Sequence, residues 1–295
     1  MRYLDPVALA KLRNFSLELR RISAEGHVTG RHRSAAKGLS HDFAQHRAYV
    51  PGDEVKSLDW KVFARQERFY VREYQSENIF TSTLILDASG SMAFSAGGRP
   101  SKWDNACRLA MALSYLVLAG GDSVGLVCFD TEPRDFVPSR TSFGQLEVLD
   151  SVMDRRRPGA ETRLAHALEM AVGRVKRRSL IILVSDLLGE PEAVLKVASA
   201  LQARRHELMV LQVLDPAERD FPFDGPTVFE SLEDSSRLYC DASALRAGYR
   251  GAFARQQRLY EAGFNSAAVS FITSYTDRPW DEDLVRLLGV RGSAR

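Results

Sequence analysis

From residue 79 onward, strand-length apolar runs alternate with helix-length periodic segments. The run at 180–185 is apolar up to its last residue, Ser185, which is typical of a strand covered on both faces of its sheet. This alternation favours an α/β fold, doubly wound, with a mostly parallel sheet and helices on both faces. Segment 134–138 is expected to pair with 123–129 as a hairpin, and 227–232 with 237–240. The predicted strands are 81–86, 123–129, 180–185, 207–214 and 268–272, and the predicted helices are 103–118, 143–153, 164–175, 191–204, 245–262 and 281–288.

The first 78 residues have a different character. Apolar spacing predicts an amphipathic helix over 5–26, and alternation predicts a short strand at 69–74. Charged residues are dense around Trp60, which we expect to be a packing anchor. We therefore divide the chain into an N-terminal segment, 1–78, and a main domain, 79–295, onto which that segment docks through ion pairs. A partner-binding or regulatory surface is the alternative interpretation of the same charges.

Composition excludes several classes of protein. The net charge of +2 gives no global field that would demand nucleic acid, although the first 40 residues carry eight Lys/Arg against three Asp/Glu. No apolar stretch is long enough to span a bilayer, and the start of the chain lacks an apolar signal core. Cys107, Cys128 and Cys240 are far apart and show no metal-binding spacing, which favours reduced thiols. We expect a cytoplasmic protein.

The most informative local motif follows the first strand of the main domain. An apolar run ends in Asp87, and hydroxyls follow at alternate positions, Ser89 and Ser91. A buried strand would deliver these three oxygen-bearing side chains to its carboxyl end, where doubly wound sheets bind ligands. Oxygen ligands that carry few negative charges suit a hard divalent cation such as Mg²⁺.

Two further residues stand where they can join this motif. Asp186 ends the apolar strand at 180–185, so it would meet Asp87 if the two strands are neighbours. Thr162 directly precedes a predicted helix and is a third contributor. The alternative for Thr162 is a helix N-cap, and for Asp87 and Asp186 it is helix capping after each strand.

Together these five residues resemble the metal ion-dependent adhesion site of von Willebrand factor type A domains, which have a Rossmann-like fold. The residues before the motif are similar to the family called domain of unknown function 58, whose members carry a type A domain behind this signature. The resemblance covers residues 30–295. It is carried by 43–53, Asp59-Trp60-Lys61, Ala64-Arg65, 71–74, 214–218 and Tyr249.

The resemblance implies a set of roles. Ser89 and Ser91 would bind the cation directly, Thr162 directly in one state of its loop, and Asp87 and Asp186 largely through water. The cation would be Mg²⁺, with Mn²⁺ or Ca²⁺ as alternatives. An Asp or Glu of a protein partner would complete the coordination. Related proteins are commonly paired with MoxR-type AAA+ ATPases, which implies a chaperone-like role in assembling or remodelling a client.

Two rival classes of function compete with a non-enzymatic adaptor. No G-x-S-x-G frame surrounds Ser89 or Ser91, and no P-loop is present. A metal-dependent hydrolase or phosphatase with Asp87 as nucleophile remains the alternative, although it would usually have more carboxylates and a nearby lysine. Nucleic-acid binding would rest on the basic N-terminus alone. The sequence therefore favours recognition through a metal over catalysis.

Overall fold

The structure is a computed structural model of the 295-residue chain. It describes residues 1–4, 10, 43–50, 53, 58–74, 80–159, 161, 163–175 and 178–292. The chain divides into two compact units, Val28–Ile79 and the remainder, Met1–His27 with Phe80–Arg295. The helix predicted over 5–26 lies outside the described residues apart from Ala10, and Thr162 lies outside them as well. The predicted domain boundary stays a prediction.

Within the larger unit, six strands form one sheet. Their order is Ser270–Tyr275 (β10), Glu207–Leu214 (β7), Leu180–Ser185 (β6), Thr81–Asp87 (β3), Ser123–Phe129 (β4) and Pro133–Arg140 (β5). Five of them run parallel, and the edge strand β5 pairs with β4 in the antiparallel sense. The predicted hairpin and the mostly parallel sheet are therefore confirmed.

Helices cover both faces of this sheet. On one face, Leu109 and Leu113 pack with Leu84 and Leu86 in one hydrophobic core. On the other, Leu168 packs with Ile85 and Val127 in a second core. The doubly wound α/β architecture is therefore confirmed. The helices are Lys102–Ala119 (α2), Gln145–Arg155 (α3), Leu164–Gly173 (α4), Pro191–Ala203 (α5), Pro216–Asp220 (α6), Ala242–Ser266 (α7) and Trp280–Gly292 (α8).

The position of β3 explains why the site lies where it does. It is flanked by β6 on one side and β4 on the other, with Leu86 opposite Val184 and Asp87 opposite Phe129. Neighbouring parallel strands end at the same edge of a sheet. The carboxyl ends of β3 and β6, and the turns that follow them, therefore meet.

An antiparallel hairpin leaves the main sheet after α6. Its strands, Pro226–Glu230 (β8) and Arg237–Asp241 (β9), pair as the sequence predicts. Asp241 then caps α7 by accepting from the backbone N–H groups of Ser243 and Ala244. This cap satisfies N–H groups that have no partner inside the helix. Asp241 is also the last residue of β9, so the hairpin passes directly into α7.

The smaller unit contains an antiparallel pair, Phe43–Ala48 (β1) and Tyr70–Tyr74 (β2), and the helix Trp60–Gln66 (α1). The strand predicted at 69–74 is confirmed. Asp59 caps α1, so this residue of the signature has a structural role. The Trp60 ring lies edge-on to that of Phe63, with ring centres 6.2 Å apart. Its role as a packing anchor for the main domain stays a prediction.

The three cysteines are free thiols, with Cys107 and Cys128 buried and Cys240 partly buried. Within the described residues, no helix is long and apolar enough to cross a membrane.

Candidate metal centre

Asp87 ends β3 and is fully buried. Its carboxylate is held from two directions, because the Ser89 N–H donates to Oδ1 at 2.9 Å and the Ser185 hydroxyl donates to Oδ2 at 2.6 Å. Ser185 comes from the neighbouring strand β6. The orientation of Asp87 is therefore set jointly by its own turn and by the adjacent strand.

Ser89 and Ser91 lie in the tight turn after β3, and both are buried. Their hydroxyl oxygens are 3.0 Å apart, and the Ser91 hydroxyl donates to Asp186 Oδ2 at 2.7 Å. The structure thus brings together Asp87, Ser89, Ser91 and Asp186, four of the five residues predicted to form the site. The fifth, Thr162, lies outside the described residues.

Asp186 follows β6 and is also buried. Its Oδ1 accepts from the backbone N–H of Leu188 at 3.1 Å, across Leu187, which has a φ of 58°. The N-cap residues of the following helical segments are Ser89 and Glu190, so the alternative that Asp87 and Asp186 are helix caps is wrong.

Lys102 is a buried member of the site that the sequence interpretation did not include. It opens α2, and its Nζ donates to Asp186 Oδ2 at 2.8 Å and to Glu218 Oε1 at 2.7 Å. Its side chain is fully buried. A lysine at a helix start is an ordinary feature of a sequence, so only its proximity to the motif could have indicated this role.

Glu218 connects the site to the short helix α6. Its Oε2 accepts from the Asp215 N–H at 2.7 Å, and Asp215 accepts from the Ala217 N–H at 2.8 Å, forming a capping box. Asp215 is also bonded by Arg99 at 3.2 Å. The segment that the sequence marked only as a family signature therefore builds one wall of the site.

The ionisable groups in this cluster change one another's pKa values. Burial, and then repulsion from Asp186, raises the pKa of Asp87 well above its usual range. Burial alone would lower the pKa of Lys102, but the carboxylates of Asp186 and Glu218 outweigh it and the pKa is raised. Burial also raises the pKa of Glu218, against the opposing effect of Lys102. Two carboxylates, Asp186 and Glu218, thus share one ammonium group, and the buried Asp87 is affected by Asp186.

The turn of the β8–β9 hairpin lies on the motif. A Cβ atom placed on Gly90 would overlap the carbonyl oxygen of Leu232 and lie 3.1 Å from the Cα of Glu233. Gly90 must therefore lack a side chain, because the backbone of the hairpin turn approaches it closely. The two segments are about 140 residues apart in the chain, so the sequence alone does not show this contact.

The loop that leads to Thr162 also contacts the motif. The Gly159 N–H donates to the Ala88 carbonyl at 3.1 Å. Earlier in the same loop, Arg156 is paired with Asp130, which follows β4, at 2.5 Å. The chain is therefore anchored beside the site three residues before Thr162.

Comparison with known proteins identifies the family. A family model described as "Protein of unknown function DUF58" matches residues 45–259, well over half of the chain. The chain belongs to the DUF58 family. Uncharacterized proteins of Mycobacterium tuberculosis and Mycobacterium bovis are 28% identical to it, over 97% of this chain and 90% of theirs. The predicted family is confirmed, and the sheet of this DUF58 chain is mostly parallel and covered by helices on both faces, as expected.

Several solved structures are similar to parts of this DUF58 chain. The conserved hypothetical protein BatB from Bacteroides thetaiotaomicron is 15% identical, covering 73% of this chain and 100% of that chain, with a TM-score of 0.47. The SpRpn10 VWA domain is 10% identical, covering 70% and 94%, with a TM-score of 0.43. Manganese-loaded TRAP protein from Plasmodium vivax is 20% identical, covering 45% and 57%, with a TM-score of 0.34. Similarity at this level assigns no role to any residue.

The donor set of this DUF58 chain fits a hard cation. Two carboxylates and two hydroxyls converge, and every donor atom is oxygen, as Mg²⁺, Mn²⁺ and Ca²⁺ prefer. In the part of the chain that is described, no group of three or more His, Cys, Asp or Glu side chains has the arrangement of a metal site. The Lys102 ammonium already occupies Asp186 Oδ2, which limits that carboxylate's share in any coordination.

Proposed function

We propose that this protein is a non-enzymatic, metal-dependent protein-binding adaptor. The observation that carries the proposal is the convergence of Ser89, Ser91 and Asp186, whose oxygens lie 3.0 and 2.7 Å apart at the carboxyl ends of two neighbouring strands. These side chains come from different strands and are buried, so they form a preorganised oxygen cluster.

Asp87, Ser89, Ser91, Thr162 and Asp186 would hold the metal, with Mg²⁺ as the first choice and Mn²⁺ or Ca²⁺ as alternatives. When bound, it supplies a positive centre with an open position for an oxygen ligand. Thr162 enters the proposal through its place in the motif, three residues after the anchored Gly159. Lys102 holds Asp186 in place and offsets part of its charge, so a bound cation would keep net positive charge toward a partner.

The partner in this proposal presents an Asp or Glu carboxylate to the site. By resemblance, a MoxR-type AAA+ ATPase belongs to the same complex, which would assemble or remodel a client in a chaperone-like manner. We place this complex in the cytoplasm, consistent with the three free thiols.

The burial of Asp87 argues against the alternative of a hydrolase or phosphatase. A nucleophilic carboxylate needs an oxygen that can reach the substrate. Both oxygens of Asp87 accept hydrogen bonds, from the Ser89 N–H and the Ser185 hydroxyl, and the residue is fully buried. These contacts suit a residue that orients a site and not one that attacks a substrate.

The test is metal-dependent capture of a purified MoxR-type ATPase from the same organism. We expect wild type to retain it in Mg²⁺ and release it in chelator, and Ser89→Ala/Ser91→Ala to lose retention. Ser199→Ala/Ser266→Ala, which alters two exposed serines on α5 and α7, is the matched control.

Each part of the proposal can fail separately. Retention that ignores both chelator and the double substitution would refute metal-dependent recognition. Phosphate release from a general phosphatase substrate that requires Mg²⁺ and disappears in Asp87→Asn would establish the enzyme instead.

A further inference from the structure

A groove of about 850 Å³ runs along the outer edge of the central sheet, and none of the residues of the candidate metal centre lines it. Its floor is formed by Phe271, Thr273 and Tyr275 of the edge strand β10, and one wall is formed by α7. β10 pairs with β7 on one side, and no strand among the described residues pairs with its other side. The groove therefore exposes an edge to which another strand could be added.

The backbone of β10 is oriented for such an addition. In a parallel strand, the backbone groups of successive residues point alternately to the two sides. The Thr276 N–H donates to the Leu214 carbonyl of β7 at 3.0 Å. Because the Thr276 N–H points to β7, the backbone groups of every second residue before it also point to β7. The N–H and C=O groups of Phe271 and Thr273, which lie between those residues, therefore point outward, toward the groove.

The side chains around the groove are strongly basic. Its lining contains five arginines and one acidic residue, Glu261. Two of the arginines are paired with aspartates, Arg219 with Asp220 and Arg286 with Asp283. The other three have no ion-pair partner among the described residues. They are Arg250, Arg258 and Arg278.

The spacing of the arginines matches an extended chain. Arg250 and Arg258 are both exposed on α7, and eight residues of helix rise about 12 Å. Side chains four residues apart on one face of a strand are separated by about 13 Å. At the carboxyl end of β10, the guanidinium groups of Arg219 and Arg278 lie 4.6 and 5.6 Å from the Tyr275 ring centre.

We propose that this groove binds an acidic, extended segment of a partner protein. The segment adds a strand to β10 through the outward groups of Phe271 and Thr273, and its carboxylates pair with Arg250 and Arg258. Guanidinium groups bind carboxylates with two parallel hydrogen bonds, which favours an acidic peptide over an uncharged one. This contact requires no metal and is separate from the adaptor site proposed above.

The test uses a fluorescent ten-residue peptide of alternating Glu and Thr, mixed with the full chain in chelator and followed by fluorescence anisotropy. We expect binding that weakens as salt rises, and a loss of affinity of at least about tenfold in Arg250→Ala/Arg258→Ala. Arg237→Ala/Arg255→Ala, which removes two exposed arginines outside the groove, should bind like wild type.

A second comparison addresses strand addition. Thr273→Pro removes an outward N–H without removing a ladder bond, so it should fold and bind at least about fivefold more weakly than Thr273→Ala. Circular dichroism verifies that each variant is folded. Equal affinity of the Arg250/Arg258 double variant and its control would overturn the proposal. Equal affinity of the two Thr273 variants, or tighter binding of an equally charged oligonucleotide or of anionic vesicles than of the peptide, would also overturn it.

Discussion

Lys102 Nζ lies 2.8 Å from Asp186 Oδ2, and both side chains are fully buried. The same ammonium group reaches Glu218 at 2.7 Å, so one cation joins the start of α2, the end of β6 and the helix α6. Buried ions are tolerated only when their charges are paired and hydrogen-bonded. Lys102 therefore holds one predicted metal ligand in place and connects it to the family signature at 214–218.

Removing this ammonium should destabilise the protein strongly. Lys102→Met keeps much of the side-chain volume but leaves Asp186 and Glu218 without their shared cation. We expect a loss of about 3–5 kcal/mol in the free energy of unfolding, measured by urea denaturation. Lys196→Met, at an exposed position on α5, should change it by less than about 0.5 kcal/mol. Similar losses in the two variants would contradict the role given to Lys102.

Gly90 should be intolerant of any side chain. In Gly90→Ala, the new methyl group would overlap the Leu232 carbonyl, so the hairpin turn or the motif must shift. We expect destabilisation of about 1–3 kcal/mol, and weaker metal binding by isothermal titration calorimetry. Gly248→Ala is the matched control, because its Cβ meets nothing within 4 Å and α7 is helical there, which should stabilise by about 0.5–1 kcal/mol. A neutral Gly90→Ala would show that the turn yields freely.

Metal binding should raise thermal stability. A ligand that binds only the folded state adds about 2.7 kcal/mol at a concentration of 100 times its Kd. We expect saturating Mg²⁺ or Mn²⁺ to raise the Tm of wild type, measured by differential scanning calorimetry, and to leave the Tm of Ser89→Ala/Ser91→Ala unchanged. Ser199→Ala/Ser266→Ala should respond like wild type. An equal rise in all three proteins would place binding elsewhere.

Asp130 should contribute stability that depends on pH. Burial acts to raise its pKa, but hydrogen bonds from Arg134 and the Glu132 N–H, with the charges of Arg134 and Arg156, outweigh it and the pKa is lowered. A lowered folded-state pKa means that the stabilisation is present above the unfolded-state pKa of about 3.9 and is lost as pH falls through the folded-state pKa.

The comparison that tests this is wild type against Asp130→Asn. We expect the variant to be about 1–3 kcal/mol less stable at pH 7, from urea denaturation, with a difference that shrinks as the pH falls below about 4. Asp277→Asn, at an exposed position, should follow wild type across the range. A difference between wild type and Asp130→Asn that does not vary with pH would assign the loss to packing.

Much of the fold could be predicted because its determinants are local. The strand at 180–185 is apolar at its first five positions, as expected when both faces are covered, and the structure has the same bounds, Leu180–Ser185. Where the pattern is weaker, the observed bounds differ from the predicted ones. The sequence predicts the last strand at 268–272, and the structure has it at Ser270–Tyr275. The short helix Pro216–Asp220 was missed, because five residues are too few to show a helical period.

The sequence by itself determined the class of fold and the oxygen-bearing residues at the ends of β3 and β6. Asp87, Ser89 and Ser91 are within five residues of one another, and the mostly parallel sheet follows from the alternation of helices and strands. Tertiary structure alone decided that Lys102 pairs with Asp186, 84 residues away, and with Glu218, 116 residues away. It also decided that the hairpin turn lies on Gly90. Periodicity records which face of an element is buried, whereas the pairing of buried charges depends on where distant segments cross.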